Sequence, residues 1–208
     1  MNKKGFTLVE VLAVIILLGL VSLIAVPTIR TKIMSSKQKL YDEQINLIED
    51  GLKNWASANI FLLPEENQTI KLSLGQLKQA GYLEPKITNP TNNQCFSNES
   101  ILSITKYNNS YIYKVDEITD VDCSLIEDTP TIKLNGNVVE YLQSGETYED
   151  AGAIAKDSSG KDMTGNINKT ISGSGDVIDT MVVGNYIITY KVTNNGKTMT
   201  AIRNVFIK

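Results

Sequence analysis

Residues 3–29 read KKGFTLVEVLAVIILLGLVSLIAVPTI, and the order of features in this stretch sets the architecture of the chain. Lys3, Lys4 and a Gly5–Phe6 junction come first, then Glu10, then Val11 to Ile29, 19 residues without a charge. As a helix rising about 1.5 Å per residue, that run reaches roughly 28 Å, enough to span a bilayer core. A cleaved secretory signal fits poorly: bulky Leu23 occupies the minus-three position before Ala25, and Pro27 lies next to that junction. A plain anchor with its lysines on the cytoplasmic side explains the apolar run but not Glu10. A carboxylate in a membrane helix costs roughly 2.5–3.5 kcal/mol at mid-bilayer and less near the interface, so it calls for a cationic partner. Cleavage after Gly5 would create one, the α-amino group of Phe6.

The composition is that of a folded chain, with 42% apolar and 21% charged residues over 208 positions, enough for one large domain or two small ones. Its formal charge of −3 is unevenly spread: residues 1–30 carry +2, residues 31–130 have 9 basic against 14 acidic side chains, and residues 131–208 balance 8 against 8. No soluble portion is basic, so direct nucleic-acid binding is not expected. Histidine is absent, which removes the commonest general base, the usual Ser-His and Cys-His pairs and most transition-metal sites. With no cofactor motif and no clustered acid pair, no catalytic residue, no metal and no cofactor is expected, and the chain reads as non-enzymatic.

KKGFTLVE resembles the class III leader of type IV prepilins and of the pseudopilins of type II secretion and competence machines. The resemblance implies that residues 1–5 are a leader cut after Gly5 by a prepilin peptidase, which also N-methylates Phe6. Glu10 then takes the position of the family's assembly glutamate, and Pro27 that of its helix-bending proline. Residues 6–29 would form the transmembrane and assembly segment. Before assembly the precursor sits as a single-pass protein in the cell membrane, amino terminus cytoplasmic and remainder outside. During assembly its helix exchanges lipid for neighbouring helices, and Glu10 neutralises the Phe6 ammonium of an adjacent subunit. An unpaired charge in such a core is expensive, so that pair can set axial register. The partners implied are the peptidase, other pilin or pseudopilin subunits, an assembly platform protein and the membrane.

Beyond the apolar run, Tyr41, Ile45, Ile48, Leu52 and Trp55 recur at three- and four-residue intervals, opposite Lys39, Asp42, Glu43, Glu49, Asp50 and Lys53. This predicts one helix from about residue 6 to 60, with Trp55 in a core and Pro64 beyond its end. Ser73 and Gln76 have capping-box spacing ahead of a short helix over 74–80, with Gly81 as its C-cap. Leu102, Ile104, then Asn108-Asn109, then Tyr111, Tyr113 and Val115 read as a β-hairpin. A long helix on a small antiparallel sheet is the pilin head, placed at residues 30–127. Cys95 and Cys123 bracket the hairpin; a disulfide is the natural reading on an oxidising exterior, with two free thiols as the alternative.

The segment IEDTPTIKLNG is a boundary: nine of the 14 glycines follow Pro130, and the pattern turns to short β runs. Runs near 132–134, 138–142, 152–155 and 166–171 precede the alternating stretch Tyr186 to Val192, the Asn195-Gly196 turn and a returning strand over 199–207. About six strands in 78 residues predict a small sandwich at residues 130–208, making the whole chain α+β. Tyr148, Asp150, Gly152 and Ala153, with Gly184, Tyr186 and Tyr190, resemble the signature of bacterial Ig-like domains on Gram-positive surface proteins. That resemblance implies spacing or adhesive display, with the ligand unspecified. Asp157, Ser158, Gly160 and Asp162 admit a calcium reading, but they lack the acidic density of an EF-hand loop and read as a polar turn. A Lys–Asn cross-link in the sandwich cannot be placed from sequence. Two functions follow: a minor type IV pilin-like or pseudopilin subunit, or a surface adhesin that uses the pilin-like segment as anchor and export route.

Overall fold

A computed structural model describes residues 5–208, and of Leu23, Ile24, Ala25 and Pro27 the backbone only. Lys3, Lys4 and the rest of the leader ahead of Gly5, and the side chain of the kink residue Pro27, lie outside the described residues. Helix α1 runs Leu8–Ala58, 51 residues, and a 3-10 turn at Ile60–Leu62 ends it. Ile48, Leu52, Trp55 and Ala56 are buried in the first hydrophobic core, and Tyr41 and Ile45 pack at its edge. The apolar stripe read from the sequence is therefore the face of α1 that holds the head. Gly51 makes the approach close: a Cβ there would fall 2.5 Å from Leu83 Cδ2.

The head sheet has the order β1–β3–β4, formed by β1 (Thr69–Ser73), β3 (Ile101–Tyr107) and β4 (Ser110–Glu117), all antiparallel. The predicted hairpin is β3–β4, turned by Asn108 and Asn109, both at positive φ. Strand β1 was not foreseen. Helix α2 (Leu74–Gln79) follows it directly, and both halves of the predicted capping box are present between Ser73 and Gln76. Gly81 ends this turn at φ +80°. A small pair, β2 (Cys95–Phe96) with β5 (Asp120–Val121), carries the Cys95–Cys123 disulfide. Closing a 28-residue separation contributes about 3–4 kcal/mol in the chain-entropy account.

The carboxy-terminal region is a two-layer sandwich. One layer pairs β6 (Thr131–Leu134) with β8 (Ala153–Lys156). The other has the order β7–β11–β10–β9, from β7 (Val139–Leu142), β9 (Asn168–Gly173), β10 (Gly184–Asn194) and β11 (Lys197–Ile207). Ile132, Ala153 and Ala155 of the small layer meet Tyr186, Ile188, Tyr190, Val192, Met199, Ala201, Val205 and Ile207 between them. The predicted runs all fall on strands, with the 166–171 run displaced to β9 because residues 164–166 form a 3-10 turn.

Strand β11 is buried on both faces. Its odd-numbered residues fill the sandwich, whereas Phe206, with Val139 of β7, enters the head core beside Leu72 and Ile70. Three side-chain amides join the two regions in the manner of a β ladder. Asn204 receives Lys71 N at 2.8 Å and donates to Lys71 O at 2.8 Å. Gln76 pairs the same way with Ile202, and Gln79 with Ile132. Each primary amide offers one acceptor and two donors, so it satisfies a peptide N–H and C=O where no strand follows. The region after Pro130 thus packs directly against the head.

Candidate functional site

The amino-terminal segment is built from the cap inward. Thr7 is the N-cap of α1: Glu10 N donates to its Oγ1 at 3.3 Å and to its carbonyl oxygen at 3.1 Å. The Thr7-x-x-Glu10 spacing is a capping pattern that the motif reading passed over. It places Glu10 in the first turn, where the exposed amide dipoles favour a carboxylate, with Phe6 immediately ahead of the cap. Among the described residues, nothing lies within 4 Å of where a Cβ on Gly5 would stand. The described residues thus place no steric demand for glycine at this position.

The first half of α1 exposes its apolar side chains, from Phe6 and Leu8 (80% and 87% exposed) through Ile15, Leu18 and Val21 to Ile33 and Met34. Two of its hydroxyls bond back to the helix, Ser22 Oγ to Leu18 O at 2.7 Å and Thr31 Oγ1 to Thr28 O at 2.9 Å, while Glu10, Arg30 and Lys32 are exposed. Among the described residues, nothing lies within 4 Å of where a Cβ on Gly19 would stand either. A mid-helix glycine costs about 1 kcal/mol against alanine, an expense that close helix–helix approach would offset. Among the described residues, no helix is long and apolar enough to cross a membrane.

The Ig-signature residues converge on a buried ion cluster. Arg203 has no exposed surface; its guanidinium meets Asp150 Oδ1, donates to Asn137 O at 3.0 Å and to Asn135 O, and lies 3.6 Å from Glu140. Asp150 also accepts from Tyr190 Oη and from Gly152 N, and pairs with Lys169 at 3.2 Å. Burial pushes the Asp150 carboxyl up, but the hydrogen bonds from Tyr190, Gly152 and Lys169 and the Arg203 charge outweigh it and hold it below the usual carboxylate range. Burial, then the bond to Asp150, raises the Tyr190 phenol. Every charge here has a partner in the same module. Tyr148, Asp150, Gly152 and Tyr190 are thus brought together as a structural lock, with Ala153 and Tyr186 buried in the sandwich core beside it. The pattern held a signal for Arg203, which occupies the inward phase of Met199, Ala201, Val205 and Ile207. Asp157 and Asp162 are spent on Asx turns, accepting from Ser159 and Lys161 and from Thr164.

Lys78 was not singled out by sequence. Its ammonium is buried at a cavity of about 160 Å³ beside β11, donating to Phe96 O at 2.9 Å and Asn98 Oδ1 at 3.2 Å. Burial lowers it to about 8. The unfolded chain then holds this proton to higher pH than the folded one, so stability rises across the window from pH 8 to the ordinary lysine value. Relative to a Lys78→Met chain, the native protein should gain about 3 kcal/mol across that window in denaturant titrations. A flat difference would show that the ammonium is solvated.

Two solved structures share local likeness. The lipoprotein BT2262 from Bacteroides thetaiotaomicron is 25% identical over 38% of this chain and 37% of that one, with a TM-score of 0.32. The M60 catalytic domain with the CBM51-1 and CBM51-2 domains from Clostridium perfringens ZmpB is 17% identical over 48% and 9%, with a TM-score of 0.30. The chain spans well under half of either. No curated protein matches the chain. Family models match at both ends, on structural rather than catalytic types: the chain carries a prokaryotic N-terminal methylation motif, of prepilin type, at residues 1–26 and a bacterial surface protein Ig-like domain at residues 132–207.

Proposed function

We propose that this chain is the membrane-inserted precursor of a minor type IV pilin-like or pseudopilin subunit, cut after Gly5, methylated on Phe6 and assembled into a filament that displays the Ig-like module. The supporting observation is the division of α1: its outer half is buried in the head while its first half leaves apolar side chains from Phe6 to Met34 exposed. A surface of that length requires lipid or other helices. Glu10 in the first turn is suited to meet the Phe6 ammonium of a neighbour. The closely attached sandwich favours a minor subunit, since one on every subunit would crowd the filament surface. The chain is read as crossing the membrane with its amino terminus inside before assembly. Its use as an anchored adhesin is the reading that uniform membrane staining, without filaments, would favour.

A Glu10→Ala chain should be processed to a methylated Phe6 terminus yet be recovered from sheared filaments at roughly a tenth of the native level or less, as expected when a buried ammonium loses its counter-charge. Quantitative immunoblotting of filament and membrane fractions checks this. Native-level incorporation would overturn the register role of Glu10.

A further inference from the structure

Strand β7 is an edge of its sheet, with β11 its strand neighbour among the described residues. Asn204 N donates to Val138 O and Lys208 N to Leu142 O, so the even-numbered residues direct their peptide groups at β11. Alternation turns those of Val139 and Tyr141 outward. Along this outer side runs a cleft of about 700 Å³, bounded by consecutive residues of β7, by the segment over residues 147–149, and by Phe61 and Leu62 of the head. Phe61 stands on the rim 91% exposed, and exposed Glu149 lines the cleft with no lysine or arginine among its wall residues; Glu140, also in the wall, is held by Arg203. The opposite edge, β9, presents exposed Asn168, Lys169 and Thr170, the polar protection usual for an edge strand.

We propose that this cleft binds an extended peptide segment of a partner protein, added as a strand beside β7. The outward N–H and C=O groups of Val139 and Tyr141 supply main-chain pairing. Glu149 selects a basic side chain on that segment, and Phe61 covers an apolar one. Because Phe61 belongs to the head and the strand to the sandwich, the site requires both regions as packed here. It is independent of processing and of filament assembly.

The test uses the full chain in detergent and a labelled hexapeptide of alternating lysine and valine, with two controls: the glutamate–valine counterpart, and the lysine peptide N-methylated on one edge. Fluorescence anisotropy should give sub-millimolar binding of the lysine peptide, and hydrogen exchange of the Val139 and Tyr141 amides should slow about tenfold on binding. Glu149→Lys, an exposed site, should weaken binding by about fivefold or more, and N-methylation should abolish it. No binding at millimolar peptide would overturn the proposal. So would equal binding of the glutamate peptide, insensitivity to N-methylation or to Glu149→Lys, or unchanged exchange at β7.

Discussion

A Gly5→Leu chain is expected to reach the membrane and keep its first five residues, with no detectable mature form. The expectation separates two demands on one glycine. Position 5 lies ahead of the N-cap, and a Cβ there would touch none of the described residues, so the substitution should leave the unfolding midpoint of the head unchanged. A peptidase that admits the chain at a Gly-Phe junction must hold the peptide closely enough to cut it, and a branched side chain at the cut blocks that approach. Intact mass measurement on purified protein reads the result directly. Removal of the leader from the variant would dissociate this segment from the processing that its motif implies, and loss of the folded head would assign Gly5 a structural role instead.

Arg203→Met is expected to destabilise the head and sandwich together by about 3–5 kcal/mol, the cost of breaking a buried ion pair from one side. The substitution takes the buried guanidinium from Asp150, which keeps only the half-exposed Lys169 as a cation among the described residues, and removes donors from Asn135 O, Asn137 O and Gly152 O. The readout is Trp55, the single tryptophan, which belongs to the head core and borders the sandwich across a cavity it shares with Ile132 and Ala201. If β11 joins the two cores as its packing indicates, Trp55 fluorescence should report the lowered midpoint of a change made on the far side of that strand. A Trp55 midpoint that stays in place would mean that the two regions unfold separately. Adding Asp150→Asn should recover part of the loss, since it removes the charge that lost its guanidinium.

The elements that reveal themselves in sequence are those whose pattern is local. The stripe from Tyr41 to Trp55 has helical spacing over four turns, the Ser73 to Gln76 box is four residues, and the Asn-Asn and Asn-Gly turns mark their hairpins. Each was legible for that reason. Strand β1 was not, since it has five residues, runs straight into a helix cap and pairs with β3 some thirty residues later. The docking of the two regions was less visible still. It depends on Gln76, Gln79 and Asn204, polar residues that a hydropathy reading assigns to the surface, and on the second buried face of β11. A strand covered on both sides loses the contrast on which a period-two reading depends. At the amino terminus the reverse holds: Gly5, Phe6 and Glu10 are legible as a motif, while few of the described residues surround them.

The amide ladders of Asn204, Gln76 and Gln79 also determine how the body would respond to force. A tether through Thr129 and Pro130 alone would let the sandwich swing and would carry tension along one chain. With β11 wedged against β1, a pull on the sandwich enters the head as shear across several parallel hydrogen bonds and a shared apolar seam, all of which must yield together. Anything gripped by the sandwich would be held at a fixed angle to the long helix, and tension would pass to that helix without slack.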